Sequence, residues 1–170
     1  MRIGTALLCL GISACGGGDD DGDASSEGTC SLRAEVSGAA SIEFTGKDDA
    51  ACLTQHSFDT GLDVSFSALG GKGVLEVGID AVAEGETGDD YAADVAVTSA
   101  DKKRWRGTAC TVAITEHELL EVEASEIGEL RHYQVAGNGR CAEPLESVPA
   151  GSEAVTVDAF SFRAQFTWRG

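Results

Sequence analysis

The sequence predicts an all-β fold, an antiparallel sandwich with two disulfides, and three observations carry that expectation. From Ser31 onward apolar residues recur at every second position, the period of a strand with one buried face. The alternating runs are short and are separated by glycine-rich breaks. Helical periodicity is almost absent, and the final run changes parity in the way a β-bulge produces.

Each run can be justified in turn. SLRAEVS sets Leu32, Ala34 and Val36 on one face and Arg33, Glu35 and Ser37 on the other. Gly38-Ala39-Ala40 makes a turn, and SIEFT resumes with Ile42 and Phe44 inward. ACLTQ, around Cys52 and Leu53, reads as a short edge strand. LDVSFSAL places Leu62, Val64, Phe66 and Ala68 together, and VLEVGID places Leu75, Val77 and Ile79 together. Gly70-Gly71-Lys72-Gly73 between them marks the clearest hairpin, because glycine takes the positive φ of tight turns.

Ala93, Val95 and Val97 form the next inward row, and Cys110, Val112 and Ile114 the one after. Leu120, Val122 and Ala124 continue as strand with Glu121 and Glu123 facing water; a short helix over 116–127 is the competing reading. Residues 130–135 follow, and Gly137-Asn138-Gly139 reads as a turn leading to Cys141. In AVTVDAFSFRAQFTW, Val155 and Val157 occupy odd positions, whereas Phe160, Phe162, Ala164, Phe166 and Trp168 occupy even ones. A bulge at Asp158-Ala159 would keep both halves facing one core. No repeat of solenoid or propeller length is present.

Ahead of this domain the chain begins MRIGTALLCLGISAC. A positive Arg2, an apolar stretch from Ile3 to Ile12 and the small Ser13 and Ala14 are the parts of a secretory signal peptide. The stretch is shorter than the roughly 20 residues a membrane-spanning helix needs. Ile12-Ser13-Ala14-Cys15 resembles the lipobox of bacterial lipoproteins. That resemblance implies cleavage after residue 14, a diacylglyceryl thioether on Cys15 carrying palmitate-type chains, and attachment to a membrane. Gly16 in place of aspartate after the cysteine implies the outer membrane. An ordinary signal peptide cut nearby, with Cys15 a free or disulfide-bonded thiol, is the alternative. In pattern, the domain beyond resembles small all-β surface lipoproteins.

Residues 16–28, GGGDDDGDASSEG, hold no large apolar side chain and cannot offset the entropy of ordering. As a flexible coil they would span roughly 20 Å. Their carboxylates do not make a calcium loop. With Gly22 at the loop glycine, Gly17 and Gly28 fall where both end ligands must be. The expected organisation is therefore a signal peptide at 1–14, a lipidated cysteine and acidic linker at 15–28, and one β-domain at 29–170.

The net charge of −17 argues against nucleic acid as a partner, since phosphate contacts need clustered cations. Four cysteines remain after Cys9 and Cys15, an even number in an exported chain. Of the three connectivities, Cys30–Cys52 and Cys110–Cys141 are favoured because each joins positions a hairpin or two apart. A four-cysteine zinc site would need a C-x-x-C spacing the chain lacks.

Two stretches stand out as candidate sites. DKKRWRG gathers Lys102, Lys103, Arg104 and Arg106 beside Trp105, four of the chain's 12 Lys+Arg. Such a loop can grip an anionic glycan or an acidic partner, with Trp105 stacking on a sugar ring, or it can pair with the protein's own carboxylates, with Trp105 packed on the sandwich edge. DAVAEGETGDDYAAD carries Asp80, Glu84, Glu86, Asp89, Asp90 and Asp94, oxygen ligands of the kind calcium takes if they converge in a loop. Solvated surface charge is the alternative. His117 and His132 could lie on neighbouring strands near Glu116 or Glu118, but lack an HExxH-type zinc spacing.

No nucleophile elbow, P-loop or dinucleotide fingerprint is present. The expected function is a non-catalytic envelope role for a membrane-anchored lipoprotein, binding a surface glycan or another protein, with no cofactor unless calcium. The alternatives are a calcium-dependent adhesion or carbohydrate-binding module, and a hydrolase whose carboxylate pair is assembled only by the fold.

Overall fold

The structure, a computed structural model, describes residues 30–46, 51–58, 60–126, 128–151 and 153–169. Cys15, the expected signal peptide and the expected linker lie outside the described residues. Ten strands follow in chain order: β1 Ser31–Gly38, β2 Ile42–Gly46, β3 Cys52–Phe58, β4 Gly61–Ser67, β5 Gly73–Asp80, β6 Gly88–Ser99, β7 Arg104–Ser125, β8 Gly128–Cys141, β9 Leu145–Val148 and β10 Ala154–Arg169. All the pairings are antiparallel, and they join one sheet in the order β2-β1-β10-β8-β7-β6-β5-β4-β3. Strand β9 fills the corner between β7 and β10.

The all-β, antiparallel expectation holds, and both expected disulfides are present, Cys30–Cys52 and Cys110–Cys141. The two layers expected of a sandwich come from one sheet that curls over on itself. Strand β1 follows β10 only as far as the pair Ser31–Arg163. Beyond that pair the edge of β10 is met by β3, where the Ser57 hydroxyl donates to the Thr167 carbonyl. The Cys30–Cys52 bridge ties the start of β1 to the start of β3 at this seam.

The period-two pattern explains the core directly. Leu62, Val64 and Phe66 on β4 stand opposite Ile79, Val77 and Leu75 on β5, which stand opposite Ala93, Val95 and Val97 on β6. All nine are buried. Across the interior the Phe66 ring lies 6.1 Å from that of Phe162 on β10, so the two sides of the curled sheet share one core.

The parity change in the last strand is a bulge, as expected. Ala34 pairs with Phe160 and Val36 with Val157, leaving Asp158 and Ala159 together opposite Glu35. Val155, Val157, Phe160, Phe162 and Ala164 are all buried as a result. The strand reading of residues 120–124 also holds, inside the 22-residue β7.

Three expectations need correction. Gly137-Asn138-Gly139 is not a turn: it runs straight through β8, with Gly137 opposite Phe162 and Gly139 opposite Phe160. The rings lie over the glycines, where a side chain would collide with them. The acidic stretch 80–94 is a loop only over 81–87, because Gly88 onward already belongs to β6. The basic stretch is likewise a turn only at its start, since Arg104 opens β7.

Candidate functional site

The basic stretch is divided by the strand it begins. Lys102 and Lys103 sit in the turn between β6 and β7, and Lys102 takes a left-handed φ of 67°. From Arg104 the period-two alternation takes over. Trp105 points into the core at 1% exposure, and its neighbours Arg104 and Arg106 point out. A buried indole cannot offer its face to a sugar, so the stacking role expected of Trp105 is not what the strand allows.

The cations meet carboxylates of the same chain. Arg104 pairs with Glu76 at 2.7 Å, Arg106 with Asp94, and Lys103 with Glu153 at 3.1 Å. The hydrogen bond that Lys103 donates to the Glu153 carboxylate holds the Lys103 pKa above its ordinary value. Lys102 has no ion-pair partner among the described residues. Such exposed pairs contribute little stability each, and their chief effect here is to fix where the side chains lie.

Lys102, Lys103, Trp105, Ser147, Pro149 and Glu153 surround an open cavity of about 420 Å³ at this end of the sheet. Trp105 and Ser147 are register partners between β7 and β9. The Trp105 Nε1–H and the Ser147 hydroxyl are both buried, and neither has a hydrogen-bond partner among the described residues. Buried polar groups are paired in the great majority of cases, and an orphan costs about 1–3 kcal/mol. Both residues line the same cavity as Lys102, Lys103 and Glu153.

Arg104, which also borders that cavity, and Arg106 help line a second hollow, on the outer face of β3 to β7. His56, Asp63, Gly78 and Asp94 are successive register partners across four strands there. The Asp63 carboxylate lies over Gly78, in the space a Cβ would occupy. Asp63 and Asp94, either side of that glycine, are the arrangement nearest to the carboxylate pair a hydrolase would use.

The six carboxylates of stretch 80–94 do not converge. Among the described residues no group of three or more His, Cys, Asp or Glu is placed to hold a metal ion. Asp94 faces Arg106, and the Glu86 carboxylate accepts from the Ala83 N–H at 3.1 Å. Glu84 accepts two bonds from Arg131, whose hydrogen bonds hold its carboxyl below the usual range. Asp80, Asp89 and Asp90 are exposed.

His117 and His132 do stand on neighbouring strands, β7 and β8, but on opposite faces. His132 faces Thr167 and Glu123. His117 packs between the rings of Tyr133 and Trp168, at 5.0 and 4.9 Å. Its Nδ1 is 2.8 Å from the Glu86 carbonyl, and its Nε2 accepts from the Gly85 N–H at 3.2 Å. That pair of contacts fixes a neutral imidazole with the proton on Nδ1, donated to Glu86. The ring therefore pins loop 81–87 to β7.

Burial pushes the His117 imidazole below its ordinary value of 6.5, outweighing the nearby Glu86 carbonyl and the Glu84 and Glu86 charges. A lowered folded-state value means the unfolded chain binds the proton first. Stability is complete above about pH 6.5 and declines as pH falls below it. The melting temperature is expected to fall between neutral pH and the mid-fives, before the carboxylates titrate. In His117→Gln that decline should be absent; a decline of equal size would remove His117 as its cause.

Comparison with known proteins found no family model, no curated protein and no solved structure that matches the chain. The residues that sequence reasoning missed at the mouth are Ser147 and Glu153. Both arrive through the β9 pairing, and neither sits in a conspicuous local context. Trp105 was legible as a core residue, because it alternates with Arg104 and Arg106.

Proposed function

We propose that the chain is an exported lipoprotein, anchored to the outer membrane through acylated Cys15, whose β-domain binds an acidic envelope ligand and catalyses nothing. The mouth beside Lys102 is the binding site, and the ligand is a carboxylate- or phosphate-bearing glycan. One observation carries the reading: the unpartnered Trp105 Nε1–H and Ser147 hydroxyl share a cavity with Lys102 and Lys103. An anionic oxygen entering there would accept the orphan hydrogen bonds and meet the Lys102 ammonium. Trp105 acts as a buried donor in this site. The disulfides fit an oxidising, exported setting, and the lipobox-like ISAC supplies the anchor.

The test uses the full chain and an immobilised polyuronate. Trp105→Phe keeps most of the packing and removes only the donor. It should weaken retention about tenfold, the worth of one hydrogen bond to a charged acceptor, while leaving the melting temperature nearly unchanged. Lys102→Ser should weaken it further at low salt. Cys15→Ser should move the protein from the membrane fraction to the soluble one. If both mouth variants bind like the parent, the mouth is not the site; if Cys15→Ser stays with the membrane, the anchor is wrong.

A further inference from the structure

The far end of β7 is an uncovered edge. Strand β6 stops with the pair Gly88–Ile114, while β7 runs on to Ser125 with β8 along its other side. Loop 81–87 meets β7 at His117, and its Glu84 reaches Arg131 on β8. From Glu118 to Ala124 no strand pairs with the outer edge among the described residues. Unpaired backbone N–H and C=O groups in a row are a template for a further strand.

The side chains there do not protect the edge. Leu119, Leu120 and Val122 are 46–49% exposed, and they are three of the five large exposed apolar side chains among the described residues. Leu120 is the extra residue of a bulge, because Leu119 pairs with Tyr133 and Glu121 with His132. Leu119 and Val122 stand opposite Tyr133 and Arg131 on one face. Glu118, Glu121 and Glu123 stand opposite Gln134, His132 and Leu130 on the other. The nearby basic side chains are occupied: Arg131 by Glu84 and Glu129, and the His132 imidazole lies 3.7 Å from the Glu123 carboxylate. Glu118 and Glu121 have no cationic partner among the described residues.

We propose that residues 118–124 of β7 form a strand-addition site for a basic, extended segment of a partner protein, with lysine or arginine alternating with aliphatic residues. The backbone edge supplies the hydrogen bonds, the leucines and Val122 supply apolar contact, and the glutamates select positive charge. A second copy of this chain fits poorly, since its glutamates would face these glutamates across the new pair. The linker 16–28 fits no better, with five carboxylates and no cation.

The experiment titrates the full chain with a short synthetic peptide alternating lysine and valine, read by fluorescence anisotropy. Two control peptides carry glutamate in place of lysine, or alternate N-methylated amides. The lysine peptide should bind, and both controls should bind at least about tenfold more weakly. Glu118→Lys combined with Glu121→Lys should lose affinity by a similar factor, with the near-UV spectrum and polyuronate retention unchanged. Equal binding of the N-methylated peptide would overturn the proposal, because contact would then be charge alone. So would a dimer of the free chain that Leu120→Pro abolishes, because the occupant would then be a second copy.

Discussion

Reduction of both disulfides is expected to leave the domain largely unfolded at physiological temperature. Cys30–Cys52 closes a segment with a sequence separation of 22, and Cys110–Cys141 one of 31. Constraint of the unfolded chain makes each worth about 3–4 kcal/mol in the loop-entropy treatment. A domain of this size has only about 5–15 kcal/mol in all. Losing both bridges therefore removes a large share of the margin. The native positions sharpen the expectation. Cys110 and Cys141 are register partners within the β7–β8 ladder, so strand pairing partly holds that junction without the bond. Cys30–Cys52 sits where β1 leaves β10 and β3 arrives, and no ladder joins β1 to β3. The Cys30→Ala/Cys52→Ala pair should therefore loosen the seam at β3 as well as lower the urea midpoint. Urea melts of oxidised, reduced and paired-alanine proteins make the comparison. An unchanged midpoint after full reduction would refute it.

How far the sequence reached follows from what period two can encode. Alternation says which face of a strand is buried, so the rows on β4, β5 and β6 were legible residue by residue. The bulge at Asp158-Ala159 was legible for the same reason, since two apolar rows of opposite parity can share a core only through an added residue. Alternation does not say which strand lies beside which. The curling of one sheet until β3 meets β10 depends on pairings between distant segments and on the seam disulfide. The mouth shows the same division. Its lysines were conspicuous in composition, but Ser147 joins them only because β9 pairs with the start of β7. The six carboxylates of the acidic stretch, close in sequence, are spread by the onset of β6, which alternation alone does not reveal.

The misread Gly137-Asn138-Gly139 leads to the other large effect. An Asn flanked by glycines is a turn signal when its surroundings are polar. Here each glycine lies under an aromatic ring of the neighbouring strand, and the pair works as one unit. A Cβ at Gly139 would sit 2.1 Å from the Phe160 ring, and one at Gly137 2.8 Å from the Ala113 carbonyl. Where there is room, Gly→Ala stabilises by about 0.4–1 kcal/mol through the unfolded chain. At Gly139 the sign should reverse, because the ring is 3% exposed and has no free space to enter. Gly139→Ala should cost about 3 kcal/mol, and Gly139→Val more. Phe160→Ala alone should cost a similar amount through its cavity. The double change should cost less than the sum, because removing the ring admits the methyl group; the coupling should reach about 1–3 kcal/mol. Strictly additive urea midpoints would dismiss this packing. The strand concerned leads through Cys141 into β9, which carries Ser147 to the mouth. Gly139→Ala should therefore also weaken polyuronate retention in protein that remains folded, although it lies far from the lysines in sequence. A variant with a lowered midpoint and full retention would show that the mouth is positioned by β7 alone.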